Sequence, residues 1–190
     1  MINSDSDNII LAPAAKKDFD RIYSGMKESF IPEEIRDEDC ARSLLDKDEY
    51  IIYNILYRNN AVGFMTVWKL SEYAFLEHFI TYPEFRKRGY GRAALARLSE
   101  IYDKIVLECE HPIDEIQKRR FEFYKSCGFY PSDESYIQPS YRKGYDSVPL
   151  ILMTYPKEEA DTAHIIKELY ERVYETEYEK NVSKKDPGAP

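Results

Sequence analysis

The chain has 190 residues, of which 43% are hydrophobic and 33% charged, and its formal net charge is −8. This composition predicts a single globular domain, and the acidic balance argues against nucleic-acid binding, which needs clustered basic surface. No apolar run approaches the roughly 20 residues of a membrane helix, and the acidic, polar N-terminus is unlike a signal peptide. We therefore expect a cytoplasmic protein that binds neither nucleic acid nor membranes.

Apolar residues that recur every three or four positions predict helices, as Phe19, Ile22 and Met26 do, whereas clusters of β-branched and aromatic residues predict strands. A tight turn is expected at Asn59 and Asn60. The predicted elements, in chain order, are a strand at 8–12, helices at 16–30 and 32–45, strands at 50–57, 61–70 and 73–81, a helix at 89–102, a strand at 104–110, a helix at 113–127, and strands at 129–137 and 148–155. This order indicates an α/β (α+β) fold with a mixed, mostly antiparallel central sheet and helices on both faces.

A last helix is predicted at 162–178, beyond Pro156. Its apolar residues form two parallel rows, Ile165-Leu169-Val173 and Ile166-Tyr170-Tyr174. We therefore divide the chain into a domain at 1–156, an amphipathic helical segment at 157–182 and a disordered tail at 183–190. A helix of this length needs to bury its apolar face in order to persist in water. It would pack either on the domain or on a second subunit, which would make a homodimer.

A glycine-rich turn, Arg86-x-x-Gly89-x-Gly91, lies between a predicted strand and a predicted helix. Glycines allow the backbone to approach a ligand closely, and the first N–H groups of a helix attract an anion. The neighbouring Lys87 and Arg88 add positive charge. The turn therefore predicts a phosphate-binding site, although a helix start with a solvated basic face would show the same residues.

The same glycines also fit a dinucleotide-binding fingerprint, Gly89-x-Gly91-x-x-Ala94, with Glu108 or Glu110 as the ribose-binding acid. That fold would begin with this βαβ unit, whereas here the turn follows an apparent antiparallel meander. The histidines and cysteines lack the spacing of metal ligands, so we expect no metal site.

Two separated motifs resemble those of the GNAT N-acetyltransferase family. The segment at 79–91 resembles the family's central motif, in which a strand, a proline and an acid precede Arg/Gln-x-x-Gly-x-Gly/Ala. The pair Phe123-Tyr124 lies four residues before Gly128-Phe129, as in a second family signature. The resemblance covers about four-fifths of the chain. It departs from the family at Gln117, where an asparagine is frequent.

The resemblance implies that acetyl-CoA binds in a gap between two splayed parallel strands, at 73–81 and 104–110. By the same resemblance, the cofactor-binding residues would be Phe79, Thr81, Arg86, Lys87, Arg88, Gly89, Tyr90, Gly91, Arg92 and Ala93. Backbone N–H groups of the turn would hold the pyrophosphate, and backbone groups of the strand would hold the pantetheine arm and the thioester.

Tyr124 and Glu77 are the candidate catalytic residues. The family commonly has its general acid at the position of Tyr124. Strand alternation predicts that Phe75, Glu77 and Phe79 share one face, with His78 and Ile80 on the other. A carboxylate between two phenylalanines is costly to bury unless it is paired or has a function, so Glu77 is the candidate general base.

The expected activity is acetyl transfer from acetyl-CoA to a primary amine of a small molecule or a peptide. A second hypothesis is a GNAT-like module that binds acyl-CoA without turnover. The sequence does not identify the acceptor.

Overall fold

The structure of the protein is a computed structural model that describes residues 8–142, 144–157 and 160–176. The strands are β1 Ile9–Pro13, β2 Tyr50–Tyr57, β3 Asn60–Lys69, β4 Ala74–Thr81, β5 Ile105–Glu110, β6 Tyr130–Asp133, β7 Ile137–Gln138 and β8 Val148–Tyr155. The helices are α1 Phe19–Ser29, α2 Glu38–Ser43, α3 Tyr90–Ile101, α4 Glu115–Ser126 and α5 Thr162–Glu168, which continues as a π-helical turn at Leu169–Val173. Within these residues, no helix is long and apolar enough to cross a membrane.

The strands form one sheet in the order β1-β2-β3-β4-β5-β8-β6, and β7 pairs with β8 beside this path. Strands β1 to β4 are an antiparallel meander. Strand β5 then pairs with β4 in parallel, and β8 pairs with β5 in antiparallel fashion. The predicted mixed, mostly antiparallel sheet is confirmed.

The sheet separates two apolar cores. Alternate residues of β3 point to opposite faces, so that Phe64 lies in one core and Met65 in the other. Helices α1, α2 and α5 contribute to the first core, which also contains Trp68, and α3 and α4 contribute to the second. The prediction of helices on both faces is therefore confirmed.

The single helix predicted at 32–45 is wrong. A 3₁₀ turn at Pro32–Glu34 is followed by extended backbone at Ile35, and α2 begins only after Asp37. The Asp37 carboxylate accepts a hydrogen bond from the N–H of Cys40 at 2.9 Å, which is the geometry of a helix N-cap. The helix thus starts where a capping side chain satisfies its first N–H groups.

Two other boundaries differ from the prediction. The turn between β2 and β3 consists of Arg58 and Asn59, with φ of 49° and 66°, and lies one residue earlier than expected. The strand predicted at 129–137 is two short strands, β6 and β7, because Asp133 accepts hydrogen bonds from the N–H and hydroxyl of Ser135 and turns the chain.

The C-terminal segment packs on the first core through α5 and the turn that follows it. Ile165, Leu169 and Val173 are between 0% and 2% exposed and contact the same core as Trp68. Glu168 fixes this segment to the β3–β4 connection, since its carboxylate accepts a hydrogen bond from the Ser71 hydroxyl at 2.6 Å. The helical backbone ends at Val173, with Tyr174 as its C-cap, so the prediction that the helix continues to 178 is wrong at residues 174–176. The rest of that predicted helix and the tail predicted at 183–190 lie outside the described residues.

We expect Leu169→Ala to lower the free energy of unfolding by about 2–5 kcal/mol, because it removes a fully buried side chain and leaves a cavity. Lys167→Ala, on the exposed face of the same helix, is the control and should have little effect. Urea denaturation followed by circular dichroism measures both. Equal midpoints for the two variants would show that the helix does not stabilise the domain.

Candidate active site

Strand β4 contains one residue more than the segment of β3 with which it pairs. Thr66 pairs with His78 and Val67 with Leu76, which leaves Glu77 without an opposite residue. This arrangement is a β-bulge, a feature that bends a strand and redirects its side chains.

Beyond the bulge, the side chains of β4 point to the faces of the sheet opposite to those that strict alternation predicts. Phe75 and Ile80 both lie in the first core, whereas Phe79 packs against the second. The expectation that Phe75, Glu77 and Phe79 share one face, opposite His78 and Ile80, is therefore wrong. An inserted residue shifts the side-chain period by one, and single-strand periodicity does not reveal it.

Strands β4 and β5 pair over a short distance only. The paired residues are Ala74 with Ile105, Phe75 with Val106, and Leu76 with Leu107. Although β4 continues to Thr81 and β5 to Glu110, their ladder ends where the bulge begins. The strands then diverge, as the predicted splayed pair requires, and the β5-facing edge of β4 beyond Leu76 is left without a strand partner.

A cleft of about 860 Å³ begins at this divergence. At one end lie the glycine-rich turn and the start of α3, with Arg86 and Lys87. At the other end lie the carboxylates Glu34 and Glu108, and Tyr141. We call these the basic end and the acidic end; Arg119 and Arg120 of α4 also line the cleft.

The two glycines of the turn differ in what the structure requires of them. Gly89 has a φ of 83°, a left-handed conformation that side chains with a Cβ rarely adopt. A Cβ on Gly91 would lie 3.4 Å from the rings of Phe79 and Phe123 and 3.5 Å from Oγ1 of Thr81. These are ordinary van der Waals distances, so a Cβ would fit at Gly91, whereas a longer side chain would extend into the space between α3 and β4.

Most of the predicted cofactor-binding residues border this cleft, namely Phe79, Thr81, Arg86, Lys87, Gly89, Tyr90, Gly91 and Arg92. Arg88 and Ala93 do not line it. The guanidinium of Arg88 lies over the ring of Phe85, 5.8 Å from its centre. The N–H of Ala93 donates to the carbonyl of Gly89 at 3.1 Å, so it is engaged within the helix.

Tyr124 projects from α4 and lines the cleft beside β5. Its ring packs between those of Phe123 and Phe129, with centroid distances of 5.4 and 5.9 Å, and the residue is 8% exposed. Burial raises the pKa of the Tyr124 phenol above its usual range. The hydroxyl therefore keeps its proton at neutral pH, as a proton donor must.

Glu77 is committed to an ion pair. Its Oε1 contacts the guanidinium of Arg36 and accepts a hydrogen bond from the Tyr141 hydroxyl at 2.9 Å, while the Thr66 hydroxyl lies 3.1 Å from Oε2. The side chain is only 1% exposed. Burial alone would raise the pKa of this carboxyl, but Arg36 and His78 outweigh that effect and hold the pKa well below its usual range.

From the sequence, Glu108 on β5 has a role only in the dinucleotide-binding alternative, as its ribose-binding acid. Its Oε1 accepts hydrogen bonds from the hydroxyls of Tyr136 at 2.5 Å and Tyr174 at 2.7 Å, and it lines the cleft. Burial raises the pKa of the Glu108 carboxyl to about 7, although both tyrosine hydrogen bonds act to lower it. A sequence signal was present, since Glu108 interrupts the apolar strand Ile105–Glu110.

Several proteins of known structure share this architecture. A putative acetyltransferase of the GNAT family from Bacteroides thetaiotaomicron is 34% identical, with a TM-score of 0.81, and the match covers 87% of this chain and 98% of that one. A spermidine N-acetyltransferase from Vibrio cholerae is 15% identical, with a TM-score of 0.57 and coverage of 80% and 95%. A GNAT family acetyltransferase from Elizabethkingia anophelis with acetyl-CoA bound is 18% identical, with a TM-score of 0.50 and coverage of 78% and 97%.

A comparison with curated proteins finds no match. Within the described residues, no group of three or more histidine, cysteine or acidic side chains could hold a metal ion. The family model described as the acetyltransferase (GNAT) family matches residues 16–129. That match includes the glycine-rich turn, the splayed strands and Tyr124, and the chain belongs to the GNAT acetyltransferase family.

Proposed function

We propose that the protein is an N-acetyltransferase that moves an acetyl group from acetyl-CoA to a primary amine by direct attack. The observation that carries this proposal is the cleft between β4 and β5, which connects a basic glycine-rich turn to an acidic end. An anionic acyl donor and a cationic acceptor would thus approach each other from opposite ends.

The donor end fits a pyrophosphate followed by an extended arm. The first turn of α3 directs N–H groups toward the cleft, and Arg86 and Lys87 add positive charge there. The Cβ-free space at Gly91 admits the pyrophosphate close to the backbone. Along β4 beyond the bulge, the unpaired edge at Phe79 offers backbone groups to the pantetheine amides. Acetyl-CoA, when bound, supplies the acyl thioester, and the residues of the cleft hold that thioester in position.

Tyr124 is the proposed general acid. In the transfer, the neutral amine nitrogen forms a bond to the acyl carbon and the carbon–sulfur bond breaks. The Tyr124 phenol gives its proton to the departing thiolate, and the proton lost by the nitrogen restores the phenol. A tyrosine phenol is protonated at neutral pH, and burial raises the pKa of Tyr124 further, so the donor carries its proton before the reaction.

For Glu77, we propose a positioning role and not that of the general base. A carboxylate whose pKa is held low by Arg36 is a weak proton acceptor, and its oxygens are already used by Arg36, Tyr141 and Thr66. Its location at the bulge instead stabilises the point from which β4 leaves β5. The homodimer stays a prediction of the sequence.

Gly91→Glu should abolish coenzyme A binding, because the new side chain would occupy the pyrophosphate site and repel it. Ala96→Glu is the matched control, since it places the same charge on an exposed position of α3, away from its first turn. Isothermal titration calorimetry with coenzyme A measures both. Wild-type affinity in a folded Gly91→Glu variant would exclude this turn as the pyrophosphate site.

Tyr124→Phe should retain coenzyme A affinity and lower kcat at least about tenfold, since general acid catalysis typically contributes about 10²–10⁴-fold. Tyr130→Phe, at a position that is 38% exposed, controls for the loss of a phenol elsewhere. Thiol release under saturating substrates gives kcat for both. An unchanged kcat in single-turnover experiments, which are insensitive to product release, would remove Tyr124 from the mechanism.

Glu77→Gln should lower the free energy of unfolding by about 3–5 kcal/mol, because it leaves the buried Arg36 guanidinium without its counter-charge. Glu72→Gln breaks the exposed pair of Glu72 with Lys104 and should change the stability by less than about 1 kcal/mol. Urea denaturation compares the two variants. Similar losses in both would show that the buried pair is not a stabilising contact.

A further inference from the structure

The acidic end of the cleft contains a carboxylate that is held in place but not neutralised. Two tyrosine hydroxyls donate to Glu108: that of Tyr136 to Oε1, and that of Tyr174 toward both oxygens, at 2.7 and 2.8 Å. Among the described residues, no cationic side chain lies within ion-pair distance of Glu108. Tyr136 and Tyr174 therefore orient the carboxylate and leave its negative charge available to a ligand.

A second feature of the same end is an unsatisfied donor. Gln138, on β7, lines the cleft and is 3% exposed. Its Nε2 is buried without a hydrogen-bond partner in the part of the chain that the structure describes. A buried amide donor left unpaired is costly, and such a group points to a ligand or an ordered water that pairs with it. An oxygen atom would satisfy it.

The charged groups around this end of the cleft determine which charge on a ligand is favourable. Glu34 also lines this end, and burial, followed by the neighbouring Glu110, raises the pKa of its carboxyl. Three nearby arginines are already engaged. Arg36 pairs with Glu77, and Arg120, which also lines the cleft, pairs with Glu110. The Arg142 guanidinium donates to the backbone carbonyls of residues 35 and 36. A carboxylate on the ligand would be repelled, whereas an ammonium group would be attracted.

We propose that Glu108, Gln138 and Glu34 form the acceptor site and that Glu108 removes the ammonium proton. The site takes a small primary amine that carries an uncharged oxygen, as in an amino alcohol. This inference rests on the proposed function and names the substrate class of the same cleft. The ammonium group binds at Glu108, and the oxygen of the acceptor receives the N–H of Gln138.

The proton balance of this step is simple. The ammonium group R–NH₃⁺ gives one proton to the Glu108 carboxylate and becomes the neutral amine that attacks the acyl carbon. Glu108 then releases that proton to solvent, which accounts for the single proton that amide formation liberates overall. A carboxyl whose pKa is about 7 accepts and releases a proton readily at neutral pH.

The pH dependence follows from this assignment. Because the pKa of Glu108 is raised to about 7, its basic form is lost as the pH falls below that value, and kcat/KM should fall with it. The titratable and charged groups that face Glu108 from the surrounding elements are Glu34, Arg36, Glu77, Tyr136, Tyr141 and Tyr174. Of the two other carboxyls, Glu34 has a raised pKa and Glu77 a lowered one, so Glu34→Gln is measured separately.

The first test is the pH profile of Glu108→Gln. We expect kcat/KM for amines to fall at least about 100-fold and the decline below pH 7 to disappear, while coenzyme A affinity by calorimetry is unchanged. Glu122→Gln, on the exposed face of α4, is the control, and Glu34→Gln should weaken amine binding but keep the decline. A retained rate, or a decline that persists in Glu108→Gln, overturns the assignment of Glu108.

The second test is an acceptor panel with matched carbon chains of two to five atoms: ω-amino alcohols, alkylamines, diamines and ω-amino acids. With the wild-type protein, we expect kcat/KM for the best amino alcohol to exceed that of its alkylamine by about fivefold or more, the effect of one hydrogen bond. The ω-amino acids should be poorest. Gln138→Met, which keeps the volume and removes the N–H, should abolish the preference for the hydroxyl.

Each other outcome overturns the inference. Three results would each exclude this substrate class. The first is a preference for diamines or ω-amino acids, and the second is a preference for the hydroxyl group that survives in Gln138→Met. The third is a panel in which no amino alcohol reacts or raises the melting temperature of the coenzyme A complex. Calorimetry with coenzyme A distinguishes a failure of this inference from a failure of the proposed function. If the wild-type protein binds coenzyme A and acetylates other amines, the proposed function stands while this inference fails.

Discussion

A guanidinium and a carboxylate can be buried together only if their remaining polar atoms also find hydrogen-bond partners. The buried Arg36–Glu77 pair depends for these partners on distant parts of the chain. Arg36 also donates to the carbonyl of Val173 at 2.6 Å, and Glu77 accepts from Tyr141. Four remote parts of the chain therefore converge on one pair: the segment before α2, the bulge of β4, the loop after β7 and the C-terminal segment. None of these parts can shift without leaving a buried charge or carbonyl unsatisfied.

The same pair explains why the bulge and the cleft occur together. A β-bulge leaves one residue outside the ladder, and here that residue is the carboxylate that Arg36 requires. The bulge ends the pairing of β4 with β5 and turns Phe79 toward α4. A single extra residue thus provides an anchor for the ion pair, opens the gap between the strands and sets the side chains that line it.

The sequence was sufficient for features encoded within short segments. The glycine-rich turn, the start of α3 and the location of Tyr124 on a helix depend on residues a few positions apart, and the element order follows from local periodicity. The bulge was not predictable in this way, because it depends on the register of β4 against β3. Glu108 was missed as a site residue for a similar reason. Its environment consists of Tyr136 and Tyr174, which lie 28 and 66 positions away along the chain.

The two ends of the cleft differ in how far apart their residues lie along the chain, and Tyr174 is the most distant of them. The basic end is built almost entirely from one contiguous stretch, residues 79–92, whereas the acidic end gathers side chains from residue 34 to residue 174. During synthesis, which proceeds from the N-terminus, all residues of the basic stretch emerge before Tyr174, the last residue of the acidic end. A substitution in the C-terminal segment can therefore change the surroundings of Glu108 without altering any residue of the stretch 79–92.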